Sequence, residues 1–119
     1  MSFRRLLDRT VTIVPRVVTG TDARGNDVLG DGAPIEDVPA ARELLSGDEE
    51  LRARDQQIET WIYFLPPKKD DGTAVTLTGY DRIVDGDERF EARGRVDEVT
   101  RRRTGLLHHY EATVYRIEG

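Results

Sequence analysis

The chain has 119 residues, a net charge of −5, 34% charged and 37% hydrophobic residues, and no cysteine. That size suits one domain with a modest core, and without cysteine there is neither a disulfide framework nor a thiolate zinc site. The negative charge disfavours general attraction to nucleic acid, and no apolar run approaches the roughly 20 residues of a membrane helix.

Along the chain, "SFRRLLD" at 2–8 suits one or two helical turns with Phe3, Leu6 and Leu7 on one side. Its apolar stretch is too short for a signal peptide, so a cytoplasmic birthplace is expected. "RTVTIVPRVVTG" alternates, with Val11, Ile13 and Val17 on one face and Thr10, Thr12 and Arg16 on the other. Pro15 makes this an edge strand or one that bends. "TGTDARGND" is rich in turn formers, with Arg24, Gly25 and Asn26 as a hairpin tip, after which Val28 and Leu29 resume an extended path. In "EDVPAARELLSG" the alternation of Val38, Ala40, Arg42 and Leu44 favours a strand, although Pro39 would also suit a first helical turn. Residues 46–57 form a long polar stretch, with Ser46 and Glu49 spaced as in a capping box. "TWIYFL" is apolar on both faces, which predicts a central strand ended by Pro66 and Pro67. "KKDDGTA" reads as an exposed turn, "YDRIVDGDERFEARG" as a hairpin turning at Asp85-Gly86, and 107–117 as the last strand. The three phenylalanines, four tyrosines and one tryptophan are expected to supply most of the bulky packing. The prediction is an all-β chain: one domain over 1–119, a small β-barrel of about six or seven strands with a short N-terminal helical turn and a long polar loop.

Both histidines lie in "HHYE". On a regular strand His108 shares a face with Tyr110, Ala112 and Val114, and His109 shares the other with Glu111, Thr113 and Tyr115. Adjacent imidazoles then diverge. His109 and Glu111 have suitable spacing for a metal, but two ligands do not hold zinc. A polar strand at a rim or interface is the expectation. The chain has no glycine-rich phosphate loop, no serine in a nucleophile elbow and no calcium-loop spacing, so neither an enzyme nor a cofactor is expected. Arg101, Arg102 and Arg103 form a basic run suited either to phosphate or an acidic partner, or to a solvated loop offset by Asp97 and Glu98.

The order of "LLDRTVTIV", "TGTDARGNDV", "VPAAR", "TWIYFLPP", "YDRIVDGDERFEARG" and "TGLLHHYEATVYRIEG" resembles the head-closure, or stopper, proteins at the head–tail junction of long-tailed bacteriophages. The resemblance spans nearly the whole chain and lies in layout rather than in a catalytic signature. It implies a virion protein of the neck, made in the host cytoplasm. Own copies, six or twelve, would form a ring that meets a head–tail adaptor on the portal side and a tail terminator or tail tube on the other. DNA would pass through the lumen without sequence-specific binding, and no membrane is involved. The resemblance also implies a gate loop. By position this is 46–57, with Gly47, Asp48, Glu49, Glu50, Arg52, Arg54 and Asp55 as its candidate residues. Candidate ring or partner contacts are Phe3, Leu7, Arg24, Asn26, Arg101, Arg102, Arg103, His108 and His109. A tail terminator or other tail-side connector and an OB-like nucleic-acid-binding barrel are the rival readings.

Overall fold

The computed structural model describes residues 6–46 and 59–117, most of which lie in β-strands. Nine strands appear in chain order: β1 (Arg9–Val14), β2 (Arg16–Thr21), β3 (Asp27–Asp31), β4 (Ile35–Ser46), β5 (Thr60–Leu65), β6 (Arg82–Asp85), β7 (Glu88–Glu91), β8 (Val96–Thr100) and β9 (Leu107–Ile117). Six of them close a barrel in the order β5-β4-β1-β6-β7-β9, with β9 pairing back onto β5. Closure leaves no open edge within those six strands. β8 is the extra strand, and it pairs with β9 beyond the point where β7 stops. β2 and β3 form a separate two-stranded ribbon.

Alternation sets what faces inward. Val11 and Ile13 of β1, Val38 and Ala40 of β4, Tyr63 and Leu65 of β5, Ile83 of β6, Phe90 of β7 and Ala112 and Val114 of β9 are all buried in one cluster. Each large side chain in it contributes about 1.5–3 kcal/mol by leaving water. The segment 38–46 is a strand, not a helix, because β1 and β5 flank it and pair with it from both sides. β5 is central as its two apolar faces require, paired with β4 and β9.

Three expectations are corrected. Val17 does not join Val11 and Ile13: it is 42% exposed, because the chain leaves the barrel at Pro15 and β2 pairs with β3 instead. The core is largely aliphatic, with Tyr63, Phe90 and Tyr110 buried while Tyr80 is 70% exposed. The turn after β6 is Gly86-Asp87, with Asp85 itself the last residue of the strand and turned inward. Gly86 adopts φ 64°, which favours glycine in that two-residue turn. Of the N-terminal helical turn at 2–8, Leu6 shows a 3₁₀ conformation and residues 1–5 lie outside the described part.

The two barrel ends are built differently. At one end, Pro66 and Pro67 end β5, and the following segment folds across the opening, burying Val75 and Leu77. The Tyr110 hydroxyl donates to the carbonyl of Val75 at 3.0 Å and pins that segment. Buried Asp81 accepts from the Arg16 and Thr78 amides and the Thr78 hydroxyl, tying the ribbon's base to the same end. Gly79 is required there, since a Cβ would lie 2.6 Å from the Cα of Gly94.

Candidate functional site

The opposite end is closed by charge. β6 alternates Ile83 and Asp85 inward, so a carboxylate enters the barrel with only 9% of its side chain exposed. It accepts from Arg9 Nε and from the Tyr63 hydroxyl, each at 2.7 Å. Arg42 follows Val38 and Ala40 on the inward face of β4. Its Nη1 donates to Glu88 Oε1 at 2.8 Å, lies 3.8 Å from Asp85, and its guanidinium stacks 4.0 Å over the Trp61 ring. Arg116 completes the rim by pairing with Glu59 and approaching Glu88 at 3.5 Å. Burial pulls Asp85 upward, but the bonds from Arg9 and Tyr63 and the charge of Arg42 outweigh it and hold the carboxyl below its ordinary range. Burial and the bond to Asp85 push the Tyr63 phenol upward, so it stays a donor. This arrangement fixes protons and seals the barrel end.

The sequence reading missed this network, although Arg42 on the face of Val38 and Ala40 signalled a buried partner. The candidate gate residues Gly47, Asp48, Glu49, Glu50, Arg52, Arg54 and Asp55 lie outside the described residues, as does Phe3. The strand ends that flank them, at Ser46 and Thr60, pair with each other at this charged end.

The candidate contact residues sit elsewhere. Leu7 is buried and Leu6 is 55% exposed. Together with Ala41, Glu43, Phe64 and His109 they line a groove of about 360 Å³ on the outer wall. Arg24 and Asn26 occupy the ribbon tip, where the Asp22 carboxylate accepts both of their amides at 2.9 Å. Gly25 takes φ 85° between them. Four apolar side chains of this ribbon, Val17, Val18, Val28 and Leu29, are 42–57% exposed.

The β8–β9 hairpin forms a second arm. Its turn places Arg101, Arg102 and Arg103 at the tip, exposed, and no hydrogen bond or ion pair engages their guanidinium groups among the described residues. Asp97 and Glu98 lie further down, opposite Glu111 and Tyr110, and do not neutralise the tip. The histidine geometry also departs from expectation. The register shifts between Val99 and Thr100, so that Val99 faces His109 while Thr100 faces Leu107 and His108 is the extra residue of a bulge. The bulge turns the two imidazoles together, with Nδ1 atoms 2.7 Å apart and one donating to the other. His109 Nε2 meets Glu111 Oε2 at 2.9 Å, as the i, i+2 spacing suggested. Burial, Arg101 and His109 all lower the pKa of His108, which favours its neutral form. Among the described residues no group of three or more histidine or carboxylate side chains is placed to hold a metal ion, and no helix is long and apolar enough to cross a membrane.

No protein-family model matches the chain, and no curated protein matches it significantly.

Proposed function

We propose that this chain is a structural connector of the head-closure type: a barrel whose copies form a ring at the head–tail junction of a phage, join the portal-bound adaptor to the tail and help retain packaged DNA. One observation carries the reading. The barrel interior is filled, one end is sealed by Val75 and Leu77 and the other by the Asp85 network, while two arms carry exposed apolar side chains and basic side chains that pair with nothing among the described residues. A two-stranded ribbon exposing Val17, Val18, Val28 and Leu29 is marginal alone and gains stability when a partner covers it. Tyr63, Phe90 and Tyr110 point into the core, which leaves fewer stacking surfaces for single-stranded nucleic acid and supports the connector over the OB-like reading.

The test mixes purified protein with DNA-filled tailless heads, followed by imaging and a DNA-leakage assay. A ring at the portal vertex with reduced leakage is expected. Binding to tail tubes instead of heads would move the protein to the tail side, and binding to neither would end the connector reading.

A further inference from the structure

We propose that the bulge at His108 is an acid-operated hinge of the β8–β9 arm: the His108 and His109 rings latch the arm tip while they carry one positive charge or none, and release it when both are cations. The hinge belongs to the arm itself and holds whether or not the chain is a connector.

The first observation is the contact. The rings meet Nδ1 to Nδ1 at 2.7 Å, edge to face, with centroids 5.0 Å apart. A hydrogen bond there needs one bare nitrogen and one N–H. The partners fix which is which. The Glu111 carboxylate accepts from His109 Nε2 at 2.9 Å, so that nitrogen carries a proton. In neutral His109 the Nδ1 is then bare, and His108 Nδ1–H donates to it. One added proton keeps the bond. It goes to His108 Nε2 as the shared proton crosses to His109 Nδ1, and the His109 cation lies between the Glu111 carboxylate and a His108 that now accepts. A second added proton breaks the bond, because both Nδ1 atoms then carry hydrogens that point at each other and two cations stand in contact.

The second observation is what faces the pair. From β9, Glu111 bonds His109. From β8, Asp97 stands opposite Glu111, Glu98 opposite Tyr110 and the uncharged Val99 opposite His109. From β4, Arg42 and Glu43 line the groove that His109 also lines, where Leu6 and Leu7 bring no charge. From β5, the Phe64 ring packs 6.2 Å from the His109 ring. Just past β8, Arg101 acts on His108, and burial, Arg101 and His109 together hold His108 below its ordinary pKa. Glu111 thus supports a first cation on His109, and Arg101 opposes a second on His108. His108 binds its proton more readily once the tip is open, so acid favours opening as pH falls below the ordinary value of 6.5.

The third observation is place. His108 is the extra residue between the Val99–His109 and Thr100–Leu107 pairs. On the barrel side of it, Val96 to Val99 pair with a strand that β5 and β7 also hold. On the other side, the tip keeps the Thr100–Leu107 pair, the Arg101 amide donating to the Leu106 carbonyl at 2.7 Å and the Gly105 amide donating to the Arg101 carbonyl at 2.8 Å. The imidazole contact stands where the well-held part of the arm meets the lightly held tip, so its loss acts on the tip. What the hinge moves is the exposed run Arg101 to Arg103 with Leu106.

The test combines amide hydrogen exchange with nitrogen NMR of the imidazoles, at about pH 7.5 and about pH 5, the range in which histidine changes charge. This range lies above the one in which Asp85 takes up its proton. After correction for intrinsic exchange, the Arg101 amide is expected to exchange at least about fivefold faster at the lower pH, the low end of coupling between a bound species and a conformational change. The amides of β5 are expected to keep their protection. The ring nitrogens are expected to show one shared Nδ1 proton at about pH 7.5, and the titration of each ring to depend on the other. His108→Gln and, separately, His109→Gln cannot reach the doubly charged pair and are expected to abolish the pH response of the Arg101 amide. Melting curves at about pH 7.5 confirm that both variants fold, and the wild-type response needs no variant. An Arg101 amide indifferent to pH, protection lost equally across the barrel, rings that titrate independently, or a pH response that survives either substitution would each overturn the proposal.

Discussion

The two ends of this barrel solve the same problem with opposite chemistry. One is closed by Val75 and Leu77, carried on a segment that crosses the opening and is held by Tyr110 and Asp81. The other is closed by Asp85, Arg9, Arg42, Tyr63 and Glu88. An apolar plug loses stability in proportion to the volume removed. A charged plug loses stability for another reason when one partner goes, because the remaining polar groups lose their compensation. The difference also follows from connectivity. The apolar end is crossed by the segment after β5, whereas among the described residues the charged end is closed by the strands' own side chains.

The sharpest way to break the comparison is Asp85→Ala, which removes the acceptor of the Arg9 guanidinium and the Tyr63 hydroxyl and leaves Arg42 with Glu88 as its carboxylate partner. It is expected to destabilise the fold by about 4 kcal/mol, read from the urea midpoint. The same end should respond to acid. Asp85 has a folded pKa below its unfolded value of 3.8. Its contribution is therefore fully present above that value and is lost as pH falls through the lower, folded one. The wild-type midpoint should drop across this window below about pH 4, and the Asp85→Ala midpoint should drop less. An equal drop in both would show that other carboxylates set the acid limit.

At the apolar end Leu77→Ala is expected to cost about 3 kcal/mol, with the same pH response as wild type. A changed acid response in that variant would mean the two ends are coupled through the core. Away from both ends, Gly25→Ala at φ 85° strains the ribbon tip and is expected to cost about 1 kcal/mol. Hydrogen exchange should place that loss in β2 and β3 and leave the barrel protected. A loss spread over the barrel would show that the ribbon folds with it as one unit. Smallest of all, the arm reversal Arg101→Glu/Arg102→Glu/Arg103→Glu should change monomer stability by less than about 0.5 kcal/mol, because these side chains are exposed and bond to nothing described. A larger loss in a thermal melt would reveal a structural role for the tip.

Much of the fold is legible locally. β9 spans 107–117 as its pattern predicts, the tip at Arg24-Gly25-Asn26 is a turn, and the apolar faces of 60–65 are covered on both sides. Other features are not. Nothing around Pro15 says whether the chain bends within one sheet or leaves it, and Val17 ends up in the ribbon because β6 takes the place beside β1. Nothing in "HHYE" reveals a bulge, since the extra residue is defined by a register shift opposite Val99 and Thr100. Of the candidate contacts, the arm tip was legible as a basic run, but that its guanidinium groups meet no partner among the described residues was not.

The sequence by itself determined where strands run and which side chains share a face. Those properties arise from alternation and turn chemistry among residues a few positions apart. The tertiary structure alone decided that six strands close, that β8 extends the seam of β7, and that Asp85 meets Arg9, 76 positions away. The reason is physical. Barrel closure and buried charge pairing are settled by strands competing for the same edges and by buried charges requiring partners, and both bring together residues that no local window contains.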